Sequence, residues 1–278
     1  MKTINILWTG GWDSTFRMCE LSLKEVIIQP TYVFGDNRQS QYKEIKSMRK
    51  IRRLLIQRES TKATINEIRF INKADITSNA IISNAYCFLK KNSNLGSQHD
   101  FLARLASEMP NLELCTEKAP LEQSNILTAI DMFGYLVKND DVFKIDKTKS
   151  TEELNLVLGN FNYPIINKNG ADMLNWVNQN NFEEIMKHIW VCHNPLFGRP
   201  CGICHPCELK IETEMAFVVG KSAVRRYKIK KSKKGTIGFN FKVLKYINRQ
   251  ISKVPNFFLQ HKLKRLSLRK TMESECKK

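Results

Sequence analysis

Four cysteines fall within sixteen residues late in the chain: Cys192, Cys201, Cys204 and Cys207, in WVCHNPLFGRPCGICHPC. Two C-x2-C steps share Cys204, and one outlying cysteine precedes them. Thiolates at that spacing can converge on a single tetrahedral ion at about 2.3 Å, which points to a closed structural Zn2+ site. With four thiolates every position is filled and none is left to activate water; an iron–sulfur cluster is the alternative occupant. His193 and His205 flank the cysteines and read as surface or neighbouring residues. Cys19, Cys87, Cys115 and Cys276 are scattered, and this usage suits a reducing cytoplasm better than a disulfide framework.

The chain has 278 residues, enough for one α/β core or a core with an appendage. It holds no run of apolar residues long enough to span a membrane. Its opening, MKTINILWTGG, reads as a first strand and not as a signal peptide. The net charge of +18 is unevenly placed. Lys221 to Lys278 holds 19 basic residues against Glu273 and Glu275, whereas the first 220 residues hold 26 basic and 25 acidic. The last part of the chain is therefore a separate electrostatic object.

Short apolar runs predict strands over Ile4–Trp8, Pro30–Phe34 and Thr64–Ile71, with weaker ones at Leu112–Thr116 and Asp141–Ile145. Helical spacing predicts helices over Ser14–Lys24, with Phe16, Cys19, Leu23 and Val26 on one side, and over Tyr42–Arg58 and Leu121–Lys138. One or two more are predicted in Met173–Ile189. Alternating strands and helices predict an α/β fold, a parallel sheet with helices on both faces. The expected organisation is an α/β domain over 1–190, a four-cysteine knuckle over 191–220 and a basic helical extension over 221–278.

The first strand runs into WTGGWDSTF, where a helix should begin. Gly10 and Gly11 lack Cβ atoms, so the backbone can turn tightly and present N–H groups to an anion. Thr9 and Ser14 add hydroxyls, and the helix's first turn adds partial positive charge. Asp13 can cap the helix or face a metal. The pattern GxxxxGK[ST] is absent from this loop, which argues against γ-phosphoryl transfer.

TGGWDS resembles the SGGxDS motif of the PP-loop ATP pyrophosphatases, with Thr9 in place of the first serine. YVFGDNRQSQYKEIKSMRKI resembles the second-strand segment of the 7-cyano-7-deazaguanine synthases, with Asp36, Arg38 and Glu44 at the matching positions. An aspartate just past a strand's carboxyl end lies where open parallel sheets bind ligands. HIWVC followed by CGICHPC is similar to that family's cysteine segment, with Trp190 matching its tryptophan.

The resemblance implies a PP-loop (HUP-like) fold, with Thr9, Gly10, Gly11, Asp13 and Ser14 on the pyrophosphate of ATP, Asp36 and Arg38 near the nucleotide, and Mg2+ and Zn2+ as cofactors. It implies adenylation of 7-carboxy-7-deazaguanine or a related acid. Ammonia then displaces AMP, and a second ATP turns the amide into a nitrile. It also implies a homodimer. NYPIINK resembles a late family strand followed by a lysine, so Lys168 can reach a phosphate or carboxylate. The family's substrate segment has only LGSQHDFLARL as its counterpart, where Gly96 and Asp100 match but the tyrosine, proline and second aspartate do not. A rewritten pocket means a rewritten substrate preference.

Two other readings stay open: a PP-loop tRNA-modifying enzyme that adenylates a base, and a nucleotide-binding module without turnover. The extension lies outside the family pattern. KSAVRRYKIKKSKKG and the alternation of apolar and basic residues after it, broken at Pro255, predict short amphipathic basic helices. Such helices can bind an anionic partner, either nucleic acid or an anionic membrane surface.

Overall fold

The computed structural model describes residues 1–35, 38–119, 124–213 and 215–232. Strands and helices alternate from the start: β1 (Lys2–Leu7), α1 (Trp12–Ser22), β2 (Val26–Phe34), α2 (Gln41–Gln57), β3 (Thr64–Ile65) and β4 (Arg69–Asn72). Then come α3 (Ala80–Ser93), α4 (Gln98–Glu108), β5 (Leu112–Glu113), α5 (Asn125–Phe133), β6 (Leu136–Asn139), β7 (Val142–Ile145), α6 (Glu152–Leu158) and β8 (Phe161–Asn162). The order closes with α7 (Gly170–Gln179), α8 (Glu183–Met186), α9 (His205–Glu212) and α10 (Lys221–Ser232).

The chain packs into two compact units, each drawn from separate stretches. The first comprises Met1–Trp8, Asp13–Tyr32 and Arg58–Glu183. Its sheet has the order β3-β2-β1-β5-β8, with β4 also paired to β2, and helices flank it. The pairs β1–β2, β1–β5, β2–β3 and β5–β8 are all parallel. From β1 the chain moves outward through β2 and β3, then returns to the other side of β1 at β5. The order thus reverses at β1, and its carboxyl end is a topological switch point, the place where open α/β sheets receive ligands. Ile6, Phe16, Leu21, Ile28, Leu112 and Phe161 fill the core around the sheet. Trp176 closes one edge of it, edge-on to Phe16 at 5.2 Å and stacked on Phe182 at 5.4 Å.

The second unit comprises the described residues of Thr9–Trp12, Val33–Gln57 and the stretch from Glu184 to Ser232. It contains α2, the cysteine segment, α9 and α10. On α2 the residues Glu44, Ile45, Met48, Ile51 and Leu55 are buried. They recur at three- and four-residue steps, so they form one stripe along the helix.

Several sequence-based expectations change. Val26, expected on the face of the first helix, instead opens β2, because α1 ends at Ser22. The single strand expected over Thr64–Ile71 is two short ones, β3 and β4, both paired to β2. The helix expected over Leu121–Lys138 is confined, among the described residues, to α5. It stops at Gly134, where a Cβ would meet the Ser150 hydroxyl at 2.2 Å, and the chain continues into β6. The strand expected at Asp141–Ile145 joins no parallel sheet. It forms the antiparallel hairpin β6–β7, turned at Asp140 with φ +53°. Helices α3, α4 and α6 are not singled out by periodicity, and LGSQHDFLARL supplies most of α4. The expected extension over 221–278 begins with α10, and its residues 233–278 lie outside the described residues.

Candidate functional site

In the second unit, the glycine loop between β1 and α1 is gripped from two directions. Gly10 has φ +71°, a conformation that costs most side chains about 1–2 kcal/mol. A Cβ there would stand 3.0 Å from the Met48 side chain and 3.3 Å from the Glu44 carbonyl oxygen and the Ser47 hydroxyl. The Gly10 carbonyl accepts from the Trp190 backbone N–H at 2.8 Å. Ser47 donates its hydroxyl to the His188 carbonyl. Three stretches far apart in sequence therefore meet at the glycines: the loop, the first turns of α2 and the lead-in to the cysteines. Trp12, the first residue of α1, is buried beneath the Lys210 ammonium at 5.6 Å. Its indole N–H has no hydrogen-bond partner among the described residues.

The loop after β2 is tied down by a buried carboxylate. Glu44 accepts from the Ser40 hydroxyl, and Arg38 Nη1 lies 3.7 Å from Glu44 Oε2. Arg38 Nη2 also donates to the Val33 carbonyl at 3.4 Å. Arg38 and Glu44 thus hold the strand's carboxyl end against the start of α2. Asp36, expected near the nucleotide, lies outside the described residues.

The first unit holds Asp13, Ser14 and Lys168. Asp13 is in the first turn of α1, and Ser14 is buried beside it. Lys168 pairs with Glu20, and its ammonium sits 5.2 Å from the centre of the Phe16 ring. Asp13, Phe16 and Glu20 fall at i, i+3 and i+7, so Lys168 lies along the same face of α1 that carries Asp13. Asp100, the partial match to the family's substrate segment, is already engaged: it accepts from Ser83 at 2.6 Å and pairs with Arg104 at 3.0 Å.

A network that sequence reading missed lies behind Lys168. Arg17 donates from Nε to Glu113 Oε2 at 2.9 Å and from Nη2 to Glu113 Oε1 at 2.7 Å. Its Nη1 is 3.4 Å from Glu20. Glu113, Arg17, Glu20 and Lys168 thus form a row of alternating charge at the carboxyl end of β5. Burial works against the Arg17 charge, but the bonds and charge of Glu113 outweigh it and hold the guanidinium above its ordinary range. The one local signal was the i, i+3 spacing of Arg17 and Glu20.

In the cysteine knuckle all four sulfurs are buried and lie within 4.8 Å of one another. A tetrahedron with Zn–S bonds of about 2.3 Å has edges of about 3.8 Å. The Cys204–Cys192 sulfur separation is 3.9 Å, far beyond a disulfide bond. Backbone N–H groups of Ile203 and Cys204 point at Cys201 Sγ from 3.4 and 3.3 Å, and that of Cys201 points at Cys192 Sγ from 3.2 Å. Such donors favour thiolate. Hydrogen bonding with Cys192 pushes the Cys201 and Cys204 thiols below their ordinary range, while hydrogen bonding among the four pushes Cys192 and Cys207 up. Four sulfurs this close could hold one cation, which would ionise all of them, and the set suits Zn2+. His193 and His205 are exposed and outside the cluster.

Local geometry explains how the sequence builds this cluster. Phe197 and Gly198 both have positive φ, +48° and +74°, at the centre of a tight turn bridged by Leu196 and Arg199. That turn folds Cys192 back toward Cys201. α9 starts at His205 and carries Cys207 in its first turn. Helix α10 then covers the cluster: Ala223 is fully buried against it, and Arg226 donates to the Cys201 and Pro200 carbonyls at 2.9 and 2.5 Å. Gly202 is required by this packing, since a Cβ there would fall 2.1 Å from the Ala223 carbonyl oxygen.

Among the described residues no helix is long and apolar enough to cross a membrane. Comparison with models of protein families finds none that matches the chain, and a search of curated proteins returns no match.

Proposed function

We propose that the chain is an ATP-dependent ligase of the PP-loop pyrophosphatase type, similar to the 7-cyano-7-deazaguanine synthases, working in the reducing cytoplasm. One observation carries this reading: a positive-φ glycine, Gly10, where a Cβ would stand only 3.0 Å from the Met48 side chain, sits between the end of β1 and the start of α1. A backbone so placed can bring its N–H groups against a departing pyrophosphate, and the first turn of a helix adds favourable charge.

In this reading Thr9, Gly10, Gly11 and Ser14 hold the pyrophosphate. Asp13 places a carboxylate in the same helix turn, where it would repel phosphate, so the pair fits best with a divalent cation between them. Mg2+ held by Asp13 would neutralise phosphate charge when bound. The resemblance assigns Asp36 and Arg38 to the nucleotide. Lys168, set by Glu20 and the buried Arg17–Glu113 pair, steers the acid's carboxylate or a phosphate oxygen. That carboxylate attacks the α-phosphorus of ATP, and the bond to the β-phosphate breaks. Ammonia then attacks the acyl carbon, AMP leaves with the electron pair of the C–O bond, and nitrogen gives up a proton to yield an amide. Positioning and charge neutralisation supply the rate, and no protein nucleophile is needed. The knuckle holds Zn2+ as a structural ion. A homodimer is part of the same proposal.

The test is incubation with ATP, Mg2+, ammonium and 7-carboxy-7-deazaguanine, following AMP and pyrophosphate. Equal release of both is the expected outcome, with Asp13→Ala lowering it by about a hundredfold or more. Unchanged release in Asp13→Ala overturns the loop assignment. AMP formed only when RNA is added supports base adenylation instead, and no AMP under either condition supports a binding module.

A further inference from the structure

The second unit carries a pocket of about 400 Å³ that the reading above does not use. Its wall includes Lys43, Lys46 and Lys50 of α2, with Lys187, Trp190 and Phe217 around them. The α2 lysines are at i, i+3 and i+7, so they share one helix face. At 1.5 Å per residue they span about 10 Å along the axis. No acidic side chain lines the pocket among the described residues. Lys187 pairs with Glu184 on its rim, whereas Lys46 and Lys50 are exposed and form no salt bridge among the described residues.

Two aromatic rings complete the site in different ways. The Trp190 indole is fixed by a bond from its N–H to the Cys192 carbonyl at 2.7 Å, and the Lys43 ammonium rests 5.7 Å from its ring centre. Trp190 therefore holds Lys43 in position. Phe217, in the short turn before α10, is 54% exposed and leaves a ring face open. The Lys43 ammonium is pulled below its ordinary range by burial first and by Lys46 second. Its charge is poorly compensated, and an anion in the pocket would offset both effects by favouring the charged ammonium.

We propose that this pocket docks single-stranded nucleic acid: the Lys43–Lys46–Lys50 row holds successive phosphates, and Phe217 carries a base. The chemistry selects this occupant. The lysine row is about three times as long as the axial step of about 3.4 Å per nucleotide in a duplex strand, so it suits a chain of phosphates better than one free nucleotide. Exposed aromatic faces stack any base, and basic grooves track the backbone without reading sequence. A bilayer surface would instead call for apolar side chains projecting from an amphipathic face, not a concavity with lysines along its wall. The proposal does not depend on turnover at the glycine loop.

The test uses the full chain without ATP, and the anisotropy of a fluorescein-labelled oligouridylate of about 12 nucleotides, titrated between about 50 and 200 mM salt. Lys46→Glu with Lys50→Glu should weaken binding at least about tenfold and flatten the log–log salt slope by about 1.4, at about 0.7 for each phosphate left without its lysine. Lys90→Glu with Lys91→Glu, an equal charge change on α3, should weaken it less than about twofold. Phe217→Ala should weaken it about five- to tenfold with the slope unchanged. Equal losses in the two double variants would overturn the proposal, because general charge would then explain binding. So would phosphatidylserine vesicles that bind through Lys46 and Lys50 while the oligonucleotide does not.

Discussion

In the first unit, Ile6, Phe16, Leu21, Ile28, Leu112 and Phe161 are buried from stretches spread over most of its length. The buried cluster of the knuckle has eight residues, and four of them are the cysteines themselves. The first core is held by apolar area, at roughly 25 cal/mol per Å² removed from water. The second has little such area, and its four sulfurs are close enough to share one cation. Structural Zn2+ supplies about 10–16 kcal/mol to small sites of this kind. With Zn2+ in the knuckle as proposed, the two cores should respond to different insults, and α10 should behave as part of the cysteine core.

The sharpest way to break this comparison is to remove a ligand. Cys204→Ser, or a strong chelator, should take Zn2+ from about one ion per chain to near none. Amide exchange should then rise sharply across Cys192–Tyr227, while β1 and β5 keep their protection. Full metal occupancy in Cys204→Ser would remove that residue from the ligand set, and loss of protection in β1 would show that the two cores are not separable.

A somewhat smaller effect is expected in the first unit at its buried charges. Glu113→Ala leaves Arg17 buried without its bidentate partner and should cost about 3–5 kcal/mol in urea denaturation, with zinc content unchanged. Arg17→Met combined with Glu113→Leu should restore most of that loss, because both charges leave together. A single-variant cost below about 1 kcal/mol would mean that water reaches the pair.

The smallest expected effect is a pH dependence confined to the same unit. Burial pushes the His99 imidazole down to about 4, and its Nδ1 has no hydrogen-bond partner among the described residues. The unfolded chain takes up a proton near pH 6.5 while the folded one resists until about 4. Stability is therefore full above about 6.5 and falls as pH drops toward 4, by up to about 3 kcal/mol. His99→Leu should flatten this slope in urea melts followed across that pH range. An unchanged slope would place the titrating group elsewhere.

Some of this is readable in the residues and some is not. The alternation of β1, α1, β2 and α2 follows from short apolar runs and helical spacing, and the glycine loop from its place between a strand and a helix. The β6–β7 hairpin escapes such a reading because a four-residue apolar stretch has the same pattern in a parallel strand and an antiparallel one. The Arg17–Glu113 pair joins residues 96 apart, and nothing near either one announces the other. The lysines of α2 read as an ordinary solvated face until Trp190 and Phe217 are set beside them.

Taken alone, the amino-acid order settled what neighbours in the chain decide. It settled which segments alternate as strand and helix, where a backbone must turn without a Cβ, and which four thiols stand close enough to share an ion. Those choices depend on contacts within a few residues. Only the tertiary structure decided that Met48 and Trp190 close around Gly10, that Glu20 and Arg17 govern Lys168, and that α10 belongs with the cysteines. These pairings arise from burial and charge compensation between segments distant in sequence, and they exist only once the chain has packed.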